Sequence, residues 1–147
     1  MTLATKADEI SEIAFGFMGS KALFAALQLK VFTHLADGPL TAEELARKAD
    51  VHPDRAQTLL TALASLGLIE VHDGDRFGNA PASQSFLVNG AKYDFGDYLR
   101  LQVGRQMYSL LDQIENALQG TMEAKDTASY AQWFADPDEA RLYSESQ

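Results

Sequence analysis

The sequence predicts a mainly α-helical domain: a winged helix-turn-helix with a small β-hairpin wing, an extra N-terminal helix pair and a long C-terminal helix. Three observations carry this. Apolar residues recur at helical spacing on both flanks of the chain. Between them, residues 38–79 read as helix, turn, helix and wing. An Asp73-Gly74 pair then separates two short alternating runs, which is the signal of a tight hairpin. The chain of 147 residues is long enough for one domain with its own core.

The first helix pair is expected over residues 6–35. Ile10, Ile13, Ala14, Phe17 and Met18 mark one helix over 6–19, and Phe24, Leu27, Val31 and Leu35 mark a second over 20–35. Phe15, Leu23 and Phe32 fall off those stripes, so the pair is apolar over more than one face. A surface helix needs only one such face. The surplus points to burial against a second subunit or a second domain.

Asp37-Gly38-Pro39 ends the pair. Thr41 and Glu44 form a capping box that starts a helix running to Lys48. Residues 50–53 make the turn, and Pro53 suits the first turn of the next helix. Ala56, Leu59, Leu60 and Leu63 form that helix's core face, and Gly67 is placed to close it. Residues 68–71 alternate into a strand, and Arg76-Phe77 begins the return.

Beyond the wing, residues 79–90 are punctuated by Ser, Gly and Pro, with a helical turn near 83–87. A long helix is expected over 94–119, with Leu99, Val103, Met107, Leu110, Ile114 and Leu118 in one stripe and Gly120 as its stop. A short helix over 128–134 carries the Trp. Asp136-Pro137-Asp138-Glu139 announces a last helix over 136–147, which the sequence presents as a truncated linker helix.

Charge then separates the fold from its commonest use. A helix-turn-helix enters the major groove through its second helix and draws affinity from Lys and Arg on phosphates. Here residues 53–66 hold Arg55 as their only base, with Asp54 beside it. Residues 38–79 carry four Lys or Arg against seven Asp or Glu, and the chain's net charge is −9. That balance argues against nucleic acid and anionic membranes as partners. The cysteine count is zero, which removes disulfides and thiolate chemistry and fits the cytoplasm. No unbroken apolar run approaches the length of a membrane span, and the acidic N-terminus is unlike a signal peptide.

Catalytic motifs are missing: no glycine-rich phosphate loop, Walker sequence or nucleophile elbow occurs. His34, His52 and His72 lack a second ligand at metal-binding spacing, so they read as ordinary histidines and no metal is expected. The acidic pairs Glu43-Glu44 and Asp136/Asp138 are explained by helix starts. No catalytic residue and no cofactor-binding residue is assigned. Two aromatic and Met groupings remain, Phe15, Phe17 and Met18 early and Met107 with Tyr108 late. Core packing is the plain reading of both; an apolar pocket completed by another domain or subunit is the sharper one.

The order of these pieces is recognisable. It runs from LFAALQLKVFTHLADGPLTAEELA through RAQTLLTALASLGLIE, a wing and a long helix, to YAQWFADPDEARLYSESQ. Over residues 10–147 it resembles the N-terminal dimerisation domain of two-domain S-adenosylmethionine-dependent O-methyltransferases, a class that includes plant small-molecule enzymes and bacterial natural-product tailoring enzymes. In that family a Rossmann-like catalytic domain follows, with a glycine-rich cofactor loop and a His base, and neither is found in this sequence. The resemblance therefore implies no S-adenosylmethionine binding by this chain alone, but such binding in a parent enzyme. It implies an intertwined homodimer, with Ile10, Ile13, Phe17, Phe24, Leu27 and Val31 as interface candidates. It also implies that Phe15, Met18, Met107 and Tyr108 supply walls to the pocket of a small apolar or aromatic acceptor. Some members of the fold perform other chemistry, such as hydroxylation. The competing readings are a winged-helix transcriptional regulator and a stand-alone protein-interaction domain.

Overall fold

The computed structural model describes residues 2–121; the helices expected over 128–134 and 136–147 lie outside that range. The chain forms two compact units, Met1–Lys92 and Tyr93–Gln147. In the first unit, α1 (Ala7–Gln28) is followed by α2 (Val31–His34), β1 (Leu40–Thr41), α3 (Ala42–Ala49), α4 (Pro53–Ser65), β2 (Ile69–His72), β3 (Arg76–Asn79) and α5 (Pro81–Phe86).

The expected helix pair is differently divided. Residues 7–28 form one continuous helix, and the break comes at Lys30, whose φ of 58° is left-handed. Gly19-Ser20 does not interrupt it, because a glycine costs a helix only about 1 kcal/mol relative to alanine. A helix packed against another element absorbs that cost. The second, short helix α2 supplies Val31 and Phe32 to the core, each 1% exposed.

The helix-turn-helix follows its local signals. Thr41 Oγ1 accepts from the Glu44 amide at 3.2 Å, and Glu44 Oε1 accepts from the Thr41 amide at 3.3 Å, closing the capping box at the start of α3. Asp50 ends α3 in a left-handed conformation. His52 caps α4, its Nδ1 accepting from the Asp54 amide at 3.3 Å, with Pro53 as the first helical residue. At the other end Gly67 has φ 77°, and the Leu68 amide donates to the Leu63 carbonyl at 3.0 Å, a Schellman closure. Phe32, Leu35, Leu45, Leu60 and Leu63 form the centre of the core.

The wing is a three-stranded antiparallel sheet in the order β1-β3-β2. β2 and β3 pair from Ile69 with Asn79 to His72 with Arg76, and the turn takes positive φ at both Asp73 and Gly74. The third strand was not foreseen. Leu40 pairs with Phe77 and Thr41 with Arg76; two residues before a helix are too few to show an alternating pattern. Polar side chains then tie α2 to the wing and α5. Asn79 Nδ2 donates to the Phe32 carbonyl and to Gln84 Oε1, each at 2.8 Å, and Gln84 Nε2 donates to the Ala36 carbonyl at 3.1 Å. Ser83, fully buried, donates to the Leu68 carbonyl at 2.6 Å.

In the second unit the helical segment starts at Gly96, two residues after the expected start at 94, and is not one α-helix. Tyr98–Met107 is π-helical, α6 (Tyr108–Leu110) and a 3-10 turn (Leu111–Gln113) follow, and α7 (Ile114–Gln119) ends at Gly120, φ 72°. The Tyr108 amide donates to the Val103 carbonyl five residues back, the π register. With more residues per turn, the expected stripe does not stay on one side. Leu101, outside that stripe, is buried, while Met107, Ile114 and Leu118 within it are 50%, 49% and 82% exposed.

A candidate interaction groove between the first and fourth helices

The first unit buries only part of α1. Ala26 and Leu27 are its buried residues, and no residue before Gly19 is buried. The N-terminal half, residues 7–18, presents Ile10, Ile13, Phe15, Phe17 and Met18 at 63%, 80%, 63%, 54% and 58% exposure. Apolar side chains are spread around this helix rather than gathered on one face. By length and composition α1 could also cross a membrane, with an 18-residue window of mean hydropathy 1.4. Ser11, Glu12, Ser20 and Lys21 interrupt its apolar residues, so no unbroken apolar run of that length occurs.

Where α1 meets α4, the two helices border an open groove of about 720 Å³. Phe17, Met18, Gly19, Lys21 and Ala22 line it from α1, and Arg55, Thr58, Leu59, Ala62, Ser65 and Leu66 from α4 and its cap. The close approach is made at Gly19, where a Cβ would stand 3.3 Å from Leu66 Cδ2. The charged residues in the lining are Lys21 and Arg55, both cationic. Leu59, expected in the core, is instead half-buried at the groove, because α4 buries Ala56, Leu60 and Leu63 on its inner side.

The sequence candidates divide accordingly. Phe17 and Met18 come together at the groove. Ile10, Ile13 and Phe15 lie exposed on the same helix, and Phe24 is half-buried. Leu27 and Val31 are 6% and 1% exposed and sit in the protomer's own core, which leaves them almost no surface for another chain. Met107 is half-exposed and Tyr108 partly buried, both in the second unit. Lys21, Arg55, Ala62 and Leu66 were not singled out from sequence. The one available signal was that α4 carries more Leu and Ala than its inner face can bury.

The outward positions of α4 are Asp54, Gln57, Thr58 and Thr61, with Gln57 Nε2 donating to Thr61 Oγ1 at 3.2 Å. The one cation exposed on α4 is Arg55, next to Asp54. Among the described residues no three metal-ligating side chains converge. Two groups away from the groove have displaced pKa values. Hydrogen bonds from Thr41 hold the Glu44 carboxyl below its ordinary range, helped by Arg76 at 3.4 Å. Burial, with Lys48 and Lys30 adding to it, pushes His34 down.

A model of the O-methyltransferase dimerisation domain matches residues 11–89. The chain belongs to this family. Streptomyces rimosus N,N-dimethyltransferase OxyT is 39% identical over 142 residues, 92% of this chain and 40% of that protein. The tetracenomycin polyketide synthesis 8-O-methyl transferase TcmO of Streptomyces glaucescens is 33% identical over 134 residues, 90% of this chain and 39% of that protein. The dimerisation domain described here thus spans about 40% of the length of the curated relatives it matches. Among solved structures, human N-acetylserotonin methyltransferase in complex with SAM superposes with a TM-score of 0.82 at 22% identity, covering 99% of this chain and 46% of that one. PigF with SAH gives a TM-score of 0.80 at 25% identity, covering 97% and 44%. The mainly helical fold with its small three-stranded sheet is therefore that of methyltransferase dimerisation domains.

Proposed function

We propose that this domain is the dimerisation and acceptor-wall module of a cytoplasmic, S-adenosylmethionine-dependent O-methyltransferase acting on small molecules. The observation that carries the reading is the family match over residues 11–89 together with relatives that align over nine-tenths of the chain. The module works with a Rossmann-like catalytic domain, which supplies cofactor binding and methyl transfer. Its own contribution is apolar surface. The exposed half of α1 and the groove residues Phe17 and Met18 join two copies, and Phe15, Met107 and Tyr108 each offer a wall to an acceptor pocket.

The acceptor is a fused-ring aromatic of polyketide type bearing a phenol. Support comes from aromatic and Met side chains, which suit a flat apolar molecule, and from the tetracenomycin-pathway relative. The relative that dimethylates nitrogen makes an aminated ring the second acceptor to try. Sedimentation of this chain and calorimetric titration with S-adenosylmethionine test the assignment. A homodimer that binds no cofactor is expected, with methyl transfer to a phenolic polyketide once the catalytic domain is joined. A strict monomer at micromolar concentration, or duplex DNA binding that falls steeply with salt, would sink it.

A further inference from the structure

We infer that the pocket where the turn between α3 and α4 meets the end of α1 is a binding site for a small zwitterion, an α-amino acid with an aliphatic side chain. The pocket holds about 440 Å³ and opens to solvent. Leu29, Val51, Ala56 and Leu59 give it an apolar lining. Asp50 and Arg55, one of each charge, line it as well. Among the described residues neither side chain forms an ion pair or a hydrogen bond, with the other or with any further group. The backbone fixes where both start. Asp50 ends α3 in the left-handed region, at φ 56°, and Arg55 stands in the first turn of α4, its amide donating to the His52 carbonyl at 3.0 Å. His52, also in the lining, adds a donor. Its Nδ1 accepts from the Asp54 amide, so the neutral ring carries its proton on Nε2.

Two opposite charges that line one pocket without meeting leave room for a ligand between them. An ammonium on Asp50 and a carboxylate on Arg55, in the forked geometry that a guanidinium favours, place one molecule across the gap. Its aliphatic side chain then covers the apolar lining. Singly charged ligands are rejected by the same groups. An anion meets Asp50, with Asp54 only 4.0 Å from the His52 ring, and a cation meets Arg55. The volume is that of a small-molecule site. None of Phe15, Met18, Met107 and Tyr108 lines this pocket, and its occupancy requires neither a catalytic domain nor a second copy. Arg55 and Leu59 also border the groove beside α1, so self-association has to be measured alongside binding.

Leucine is the probe, read by amide chemical shifts in the full chain. Saturable shifts are expected at Leu29, Val51 and Ala56, with a dissociation constant of about a millimolar. Leucinamide lacks the carboxylate and N-acetylleucine lacks the ammonium, and each should bind about tenfold more weakly or worse. Asp50→Asn keeps a residue that tolerates the left-handed conformation, and Arg55→Gln keeps a polar side chain. Each should weaken leucine binding by about tenfold or more. Both positions are exposed, and well-dispersed spectra verify that each variant folds. The assignment is overturned by the absence of a saturable shift with leucine at about 10 mM. Analogues that bind as tightly as leucine, or variants that leave its affinity unchanged, overturn it equally. Sedimentation of the same proteins reports self-association separately, so a failure here leaves the homodimer reading standing.

Discussion

Gly19 of α1 faces Leu66 at the end of α4 so closely that a Cβ on the glycine would lie 3.3 Å from the leucine Cδ2. That distance is tight, but the opposing atom is the tip of a side chain that is 48% exposed and free to turn. The helix propensity gained by replacing glycine should therefore prevail. Gly19→Ala is expected to stabilise the domain by about 0.5–1 kcal/mol in denaturant melts. Gly19→Val adds branching at Cβ, which Leu66 cannot clear by one rotation, and it should lose that gain. A destabilised Gly19→Ala would show that Leu66 is held rigidly and that the two helices are locked together there.

The capping box at α3 can be read by removing its hydroxyl. Thr41→Ala deprives the Glu44 amide of its acceptor and should cost about 1 kcal/mol in chemical denaturation. Thr41→Ser keeps the oxygen and should lie within a few tenths of the parent.

Glu44 and His34 each contribute to the acid limb of the stability profile. The folded-state pKa of Glu44 is depressed, so its contribution is fully present above the unfolded carboxylate value of 4.5 and is lost as pH falls through the folded value. His34 is also depressed, because burial disfavours its cation. The protein is thus unpenalised above pH 6.5 and loses stability as pH drops below it, where the unfolded chain takes up the proton first. Thermal melts between pH 7 and pH 5 should show a decline that His34→Gln reduces. An unchanged slope in that variant would assign the decline to other groups.

Leu60 is completely buried on the inner side of α4. Leu60→Ala should destabilise by about 2–5 kcal/mol, as large-to-small core changes do. Leu59→Ala, one residue away at the groove, should cost the protomer much less. Under the homodimer reading, in which groove residues join two copies, it should weaken self-association instead. Comparing the two by melting and by sedimentation separates core from interface on one helix.

The parts of the fold legible from sequence were those decided within a few residues. Thr41 with Glu44 and Pro53 act through a cap or a fixed φ set by their own side chains, and Gly67, Gly74 and Gly120 through positive φ that the absence of a Cβ allows. Each marks its boundary where expected. Residues whose role depends on what arrives from elsewhere were harder to place. Ile13 and Leu27 are both apolar residues at helical spacing on α1, yet one is 80% exposed and the other 6%.

By itself, the sequence determined that this chain is a winged helical domain with an apolar first helix and a net charge of −9. Tertiary structure alone decided the rest. It joined residues 7–28 into one helix, added β1 to the wing, took Leu27 and Val31 into the core and opened the groove beside α4. The physical reason is that caps and turns are local chemistry, whereas burial depends on which distant surfaces meet. Leu or Phe on a helix states only that something must cover it; the packing of α1 against one end of α4 leaves residues 7–18 still to be covered.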